Sequence, residues 1–251
     1  MSQLQFKDVK LLKTKKGRDQ TGLFIIEGEK FVQEIPAGWR VVKYIVAQRY
    51  ARAHDMSFFC GNCEIVRDSI FDSLADTVSP QGVLAVCEQK RYIIEEIPHN
   101  FILLGENLND PGNIGTLIRT AAAAGVSGVI LTSGSGDIYN PKVLRASAGA
   151  VLRLPIVTDV SLAEIPQTIK PIYAAHPRGD VLPYELNLCD NFCLMVGNEA
   201  RGLTNAAVNM ATKLARLPMV NNTESLNASV AGSVLMYEAV RQRTGGGGNA
   251  K

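Results

Sequence analysis

No stretch of this chain approaches the roughly 18 or more apolar residues of a membrane-spanning helix. The opening MSQLQFKDVK lacks the apolar core of a secretory signal. A soluble, cytoplasmic protein is therefore expected. A large charge imbalance is missing too: the net charge is +2, so bulk composition does not announce a polyanionic partner. Cysteines are few and odd in number (Cys60, Cys63, Cys87, Cys189, Cys193), which argues for free thiols over a disulfide framework. Cys60-x-x-Cys63 has no second C-x-x-C to complete a zinc site, and His54 and Cys87 are poorly spaced partners. A turn beside a strand is the simpler reading, and no metal is expected. The Gly-x-Gly-x-x-Gly dinucleotide fingerprint is absent, so a nicotinamide cofactor has no support. No internal repeat is visible.

What is present is an α/β pattern in two parts. Hydrophobic residues make up 46% of the 251, enough for a substantial core. Residues 1–88 read as a small α/β unit. It has helices at Phe6–Leu12 and Glu29–Ile35, and strands at Leu23–Ile26, Val41–Val46 and Gly82–Val86. Residues 89–99 are polar, carry Pro98 and fit a linker. Residues 100–244 alternate strand and helix. Strands are expected at Phe101–Leu104, Val126–Leu131, Leu154–Val157, Pro171–Ala175, Phe192–Val196 and Leu214–Leu217, and helices over 113–124, 141–150 and 225–242. Such alternation predicts a mostly parallel sheet covered by helices on both faces. Residues 245–251, rich in glycine, read as a flexible tail.

Three segments concentrate Gly, Pro and Asn beside polar side chains where strands end, which suggests one site built from loops. In the first, Asn109 to Arg119, Asp110 can cap a helix that Pro111 begins. Ile114, Leu117, Ile118 and Ala121 form its buried stripe. Asn113 and Arg119 lie off that stripe, suited to a phosphate or a ribose; a merely solvated Arg is the plainer alternative. In the second, Gly197 to Leu203, the glycines Gly197 and Gly202 permit close backbone approach to a ligand. Glu199 between them can accept hydrogen bonds or anchor the turn. The third runs from Leu217-Pro218-Met219 to Glu224-Ser225-Leu226-Asn227. Here Ser225 is the expected cap of the last helix, Asn227 follows in its first turn, Val230, Val234 and Tyr237 form its apolar face, and the small residues Ala228, Ser229, Ala231, Gly232 and Ser233 allow tight packing. Taken singly, each segment also reads as an ordinary capped helix or turn.

Together, in order and spacing, they resemble the SpoU family of RNA ribose 2′-O-methyltransferases, also called the TrmH family, of the SPOUT superfamily. The resemblance covers residues 100–243 and rests on NDPGNIGTLIRTAAAAG, NPKVLRASAGAVLRLPI, LMVGNEARGL and ARLPMVNNTESLNASVAGSVLMYEAVRQR. The weaker strings VKLLKTKKGRDQTGLFIIEGEKFVQE and PQGVLAV resemble the RNA substrate-binding domain, like ribosomal protein L30e in fold, that often precedes it. The resemblance implies a parallel-sheet domain with a deep trefoil knot, a homodimer, and S-adenosyl-L-methionine as cofactor. It implies catalytic roles for Asn113, Arg119, Glu199, Ser225 and Asn227. Cofactor contacts are implied for Gly197, Leu217, Met219, Leu226 and Asn227. One departure lies in the loop Val220-Asn221-Asn222-Thr223, where the family often has glycine. Asn tolerates positive φ better than most residues, so the turn can survive.

The chemistry so implied is an in-line methyl transfer to a ribose hydroxyl. Arg119 is either the base toward that hydroxyl or the group that holds the adjacent phosphate and stabilises the alkoxide. A guanidinium holds its proton far above neutral pH and makes a poor base unless strongly perturbed. Residues 1–18 set six basic side chains against the single acid Asp8. Lys10, Lys13, Lys15, Lys16 and Arg18 are thus candidate RNA contacts, or else a solvated face. Arg145 is another candidate contact, or a helix cap. Ribosomal RNA is favoured over transfer RNA as the substrate. A non-catalytic RNA-binding or ribosome-assembly protein of the same fold is the competing reading, and methylation of a base is a further one.

Overall fold

The computed structural model describes residues 5–59, 61–221 and 223–245. Cys60 of the C-x-x-C pair, Asn222 of the loop before the last helix and residues 246–251 of the expected tail lie outside the described residues. In chain order the helices are α1 (Phe6–Leu11), α2 (Lys15–Thr21), α3 (Glu29–Gln33), α4 (Gln48–Ala53), α5 (Asp68–Leu74), α6 (Pro111–Ala123), α7 (Pro141–Ala146), α8 (Asn205–Met210) and α9 (Ala228–Gly245). The strands are β1 (Leu23–Glu27), β2 (Val41–Ala47), β3 (Cys63–Val66), β4 (Val83–Glu88), β5 (Phe101–Gly105), β6 (Gly128–Thr132), β7 (Ile156–Val160), β8 (Ile172–Ala175), β9 (Phe192–Val196) and β10 (Lys213–Ala215). None of the described helices is long and apolar enough to cross a membrane.

The chain packs as two compact units. The first holds the residues up to Lys90 together with Asp137–Leu152. Its sheet runs β1-β4-β2-β3. The near-continuous apolar run of β4 lies between β1 and β2 and pairs antiparallel with both. Strand β3, an edge strand not expected from the sequence and with only Val66 buried, joins parallel to β2. Val9, Leu12, Ile45, Phe71 and Leu84 fill one core. The helix expected at 141–150 stops at Ala146 as α7, and it packs in this first unit although its sequence was read as part of the second. The reason is a set of partners distant in sequence. The Tyr139 ring lies 4.4 Å from Phe24, and Trp39 Nε1 donates to the Leu152 carbonyl at 2.8 Å.

The second unit, Arg91–Gly136 with Arg153–Lys251, carries a parallel sheet in the order β10-β8-β9-β5-β6-β7. β5, β6 and β9 are buried along their whole length, as strands covered on both faces must be. Asp110 caps α6 by accepting from the Asn113 N–H at 2.8 Å, with Pro111 at the first helical position as expected. Ile114, Leu117, Ile118 and Ala121 are all buried.

On α9 the small residues expected to pack tightly do so at Ser229 and Gly232, while the apolar face does not turn inward. Val230, Val234 and Tyr237 are about half exposed, and the face that packs inward is Ser229, Gly232, Leu235, Met236 and Ala239. Small residues let α9 come close to α6. A side chain at Gly232 would begin 2.6 Å from Leu117 Cδ2, and the Thr120 and Ser233 hydroxyls lie 3.0 Å apart.

Candidate active site

From β5 the chain proceeds to β6 and β7 on one side of the sheet, while β9, β8 and β10 lie on the other. Such a reversal opens a crevice at the carboxyl ends of the strands. Here it is a cavity of about 510 Å³, lined by the turns after β8 and β9 and by the segment between β10 and α9. Gly197, Glu199, Leu217, Met219, Ser225 and Leu226 all line it.

The turn after β9 folds back on itself. A Cβ on Gly197 would lie 2.7 Å from both the Gly202 carbonyl carbon and the Leu203 nitrogen. Gly202 takes φ +69°, and its N–H donates to the Asn198 carbonyl at 2.9 Å. The glycines thus meet the loop's own needs first. Asn198 is fully engaged. Its Oδ1 accepts from the N–H groups of Ala200 (2.9 Å) and Arg201 (3.0 Å), and its Nδ2 donates to the Asn107 carbonyl at 2.7 Å. The far end is held by Glu106, a carboxylate only 2% exposed that directly follows β5. It accepts from the Thr204 N–H (2.9 Å) and hydroxyl (2.6 Å). Two charge-assisted bonds keep that buried carboxylate satisfied.

A polar chain joins the three signature segments. Glu199 Oε1 accepts from Asn113 Nδ2 at 3.1 Å and from the Asp110 N–H at 3.4 Å. Asn113 Oδ1 lies 3.0 Å from the Ser229 hydroxyl, which is 2.7 Å from Asn227 Oδ1. One hydroxyl proton faces two acceptors, so Ser229 serves them in alternation. Asn227 Oδ1 also accepts from the N–H groups of Ser229 (2.9 Å) and Val230 (3.3 Å). Asn227 is therefore the cap of α9, and the expected cap, Ser225, stands outside the helix on the cavity wall. Among the described residues Ser225 makes no hydrogen bond. Asn113, read as off the buried stripe, is itself only 8% exposed.

Arg119 is on the exposed side of α6, and among the described residues its guanidinium has no ion-pair or hydrogen-bond partner. Asn221 takes φ +58°, a conformation that Asn tolerates better than most non-glycine residues.

The sequence reading missed Glu106, Asn198 and Ser229. Glu106 was legible as an acid at the end of a buried strand, and Asn198 sat inside a quoted string. Ser229 was hidden among small packing residues.

The SpoU rRNA methylase family model matches residues 100–237, which include every residue of that polar chain. This chain belongs to the SpoU family. An MRM3-like substrate binding domain matches residues 4–85. The chain is 33% identical to the 23S rRNA (guanosine(2553)-2′-O)-methyltransferase RlmP of Bacillus subtilis, over 92% of this chain and 94% of that protein. It is 28% identical to the 23S rRNA (uridine(2479)-2′-O)-methyltransferase of Streptomyces viridochromogenes, over 94% and 88%. Among solved structures it matches the SpoU methyltransferase AviRb of Streptomyces viridochromogenes in complex with AdoMet. That match has a TM-score of 0.85 and 26% identity and covers 95% of this chain and 97% of that one. AdoMet-bound rRNA methyltransferase from Sinorhizobium meliloti matches with a TM-score of 0.84 and 29% identity over 94% of each chain.

The expected RNA contacts of the first unit divide. Arg18 is withdrawn: it is 2% exposed, with Nε and Nη2 against Asp137 Oδ2 at 2.7 and 2.5 Å and Nη1 donating to the Leu12 carbonyl at 2.7 Å. A buried, paired guanidinium cannot face a phosphate. Lys13 Nζ donates to the Ser73 and Ala75 carbonyls at 3.1 and 2.6 Å. Arg145 pairs with Asp76 at 2.7 Å and Lys15 with Asp19 at 3.4 Å. Lys10 and Lys16 are exposed.

Proposed function

We propose that this SpoU-family chain transfers the methyl group of S-adenosyl-L-methionine to the 2′-hydroxyl of a ribose in ribosomal RNA. The observation that carries this reading is the hydrogen-bonded chain Glu199–Asn113–Ser229–Asn227, which ties all three signature segments to the cavity's edge. The cavity suits the cofactor. Its volume of about 510 Å³ is in the range of small-molecule sites. Leu217, Met219 and Leu226 offer apolar surface for an adenine, beside the tightly folded turn at Gly197. When bound, S-adenosylmethionine supplies a methyl group already activated on a positively charged sulfur.

The protein's own groups then align and stabilise. Glu199 and Asn113 hold the turn after β9 against the start of α6, fixing one wall of the site. Ser225, its hydroxyl unengaged among the described residues, faces the reacting ribose from the opposite wall. Asn227 holds the start of α9. Arg119 holds the phosphate beside the target ribose and stabilises the alkoxide as the hydroxyl proton passes to solvent water. The alternative in which Arg119 itself takes that proton asks a guanidinium to act as a base, against its ordinary chemistry.

Unit one serves as the RNA substrate-binding domain, with Lys10 and Lys16 among its exposed cations. The half-exposed Val230, Val234 and Tyr237 recur along one face of α9, and a second copy of the chain covers them in a homodimer. The C-terminal part of the sheet threads a trefoil knot.

The test is transfer of labelled methyl from S-adenosylmethionine to total RNA lacking the modification, followed by nuclease digestion and nucleoside mass analysis. A 2′-O-methylnucleoside in the large ribosomal RNA is expected, and Arg119→Ala abolishes nearly all of it while leaving the fold intact. Label in transfer RNA would correct the substrate. RNA binding with no cofactor binding would replace the enzyme by an assembly protein.

A further inference from the structure

Two arginines outside the signature chain stand at the same cavity. Arg178 follows β8 and Arg201 follows β9, and these strands are hydrogen-bonded neighbours. Parallel neighbours run about 4.8 Å apart, so the two turns leave the sheet from adjacent strand ends, and both arginines line one cavity. Each sits on a tight, pinned turn. The Arg178 N–H donates to His176 Nδ1 at 3.1 Å, and the Gly179 N–H closes that turn onto the His176 carbonyl at 3.0 Å. Gly179 has no room for a side chain: a Cβ there would meet the Leu214 carbonyl oxygen at 2.4 Å. The Arg201 N–H donates to Asn198 Oδ1, inside the loop already braced by Glu106. The backbones are held, yet both guanidiniums are exposed, and among the described residues neither has an ion-pair or hydrogen-bond partner. Glu199, the acidic residue in the cavity lining, already accepts from Asn113 and from the Asp110 N–H.

Two unpaired like charges at one rim repel each other and raise a positive potential over the opening. That field opposes the sulfonium and the amino group of the cofactor, so the cofactor's positive centre does not account for it. An anion does. We propose that Arg178 and Arg201 form a clamp for phosphates of the RNA strand that carries the target ribose across the cavity mouth. This rests on the methyltransferase reading above. Arg offers forked donors that match phosphate oxygens, and the rigid turns set where the forks begin. The clamp acts on any sequence. It positions the strand and leaves base choice to other contacts.

The same chemistry has a second source, the carboxylate of the cofactor's methionine tail, and the experiment separates the two. The full-length protein saturated with S-adenosylmethionine is titrated with a fluorescein-labelled 20-nucleotide single-stranded RNA at several salt concentrations. Wild type is compared with Arg178→Gln/Arg201→Gln, and cofactor affinity is measured in the absence of RNA. Loss of two phosphate contacts on a single strand lowers the slope of log K against log salt by about 1.4. We expect that change, about a tenfold weaker RNA complex at low salt, and cofactor affinity within twofold of wild type. An unchanged slope overturns the clamp. Weaker cofactor binding with an unchanged slope overturns it in favour of the carboxylate. A melting temperature equal to wild type shows that the variant is folded, and Arg178→Lys/Arg201→Lys restores most of the slope. Wild type that binds RNA with the expected slope but transfers no methyl would sink the enzyme reading and leave the clamp standing.

Discussion

The polar chain between α6, α9 and the turn after β9 can be tested quantitatively. Asn113→Ala removes the bonds to Glu199 (3.1 Å) and Ser229 (3.0 Å) at a side chain only 8% exposed. A typical intramolecular hydrogen bond contributes about 0.5–1.5 kcal/mol net, so the variant loses about 2 kcal/mol. Ser229→Ala costs less, about 1 kcal/mol, because Asn227 Oδ1 keeps its two backbone donors. The two residues share one bond, so the double variant loses less than the two single losses together. A coupling of about 1 kcal/mol is expected. Urea denaturation of the four proteins measures this, and calorimetric titration of S-adenosylmethionine reads the consequence at the site. Slackening the Glu199 turn by about 1.4 kcal/mol weakens cofactor binding about tenfold. Strict additivity, or Asn113→Ala with wild-type cofactor affinity, would falsify the claim that this chain braces the site.

Three further predictions test other parts of the molecule. Gly197→Ala places a Cβ 2.7 Å from the Gly202–Leu203 backbone, so the turn must open, and cofactor affinity falls by more than about tenfold, with stability down by about 1–3 kcal/mol; calorimetric binding that stays at wild-type strength would contradict it. Asp137→Ala strands the buried Arg18 guanidinium and destabilises the first unit by about 3–5 kcal/mol, whereas Arg18→Met with Asp137→Leu recovers most of that in chemical denaturation. Burial pushes the thiols of Cys87 and Cys193 from 9.0 up to about 12. The folded state holds those protons more tightly than the unfolded chain, so this stability is complete below pH 9 and is lost as pH rises from 9 toward 12. Urea midpoints should fall between pH 8 and 11, and less steeply in Cys193→Ala; a flat profile in the wild type would count against the buried neutral thiols.

Sequence alone determined the parts whose cause is local. Period and composition placed β5, β6 and β9, because strands buried on both faces must be continuously apolar. Asp110 and Pro111 announced the start of α6, since capping involves groups three residues apart. The site segments were legible as loops at strand ends, and Asn221 could be expected to take positive φ. Tertiary structure decided whatever depends on a distant partner. Arg18 looked like a surface cation until Asp137, 119 residues away, closed on it. The stretch Asp137–Leu152 read as part of the second unit until Phe24, Trp39 and Asp76 held it in the first. The apolar face of Val230, Val234 and Tyr237 on α9 stays half exposed, and it is the small Ser229 and Gly232 that pack inward. Close approach to α6 selects by volume, and Gly232 fits where a larger side chain does not. Ser225 yielded the cap to Asn227, whose Oδ1 reaches the Ser229 and Val230 N–H groups. Hydrophobic pattern and capping act within a few residues, but burial, pairing and close approach belong to whatever the fold brings alongside.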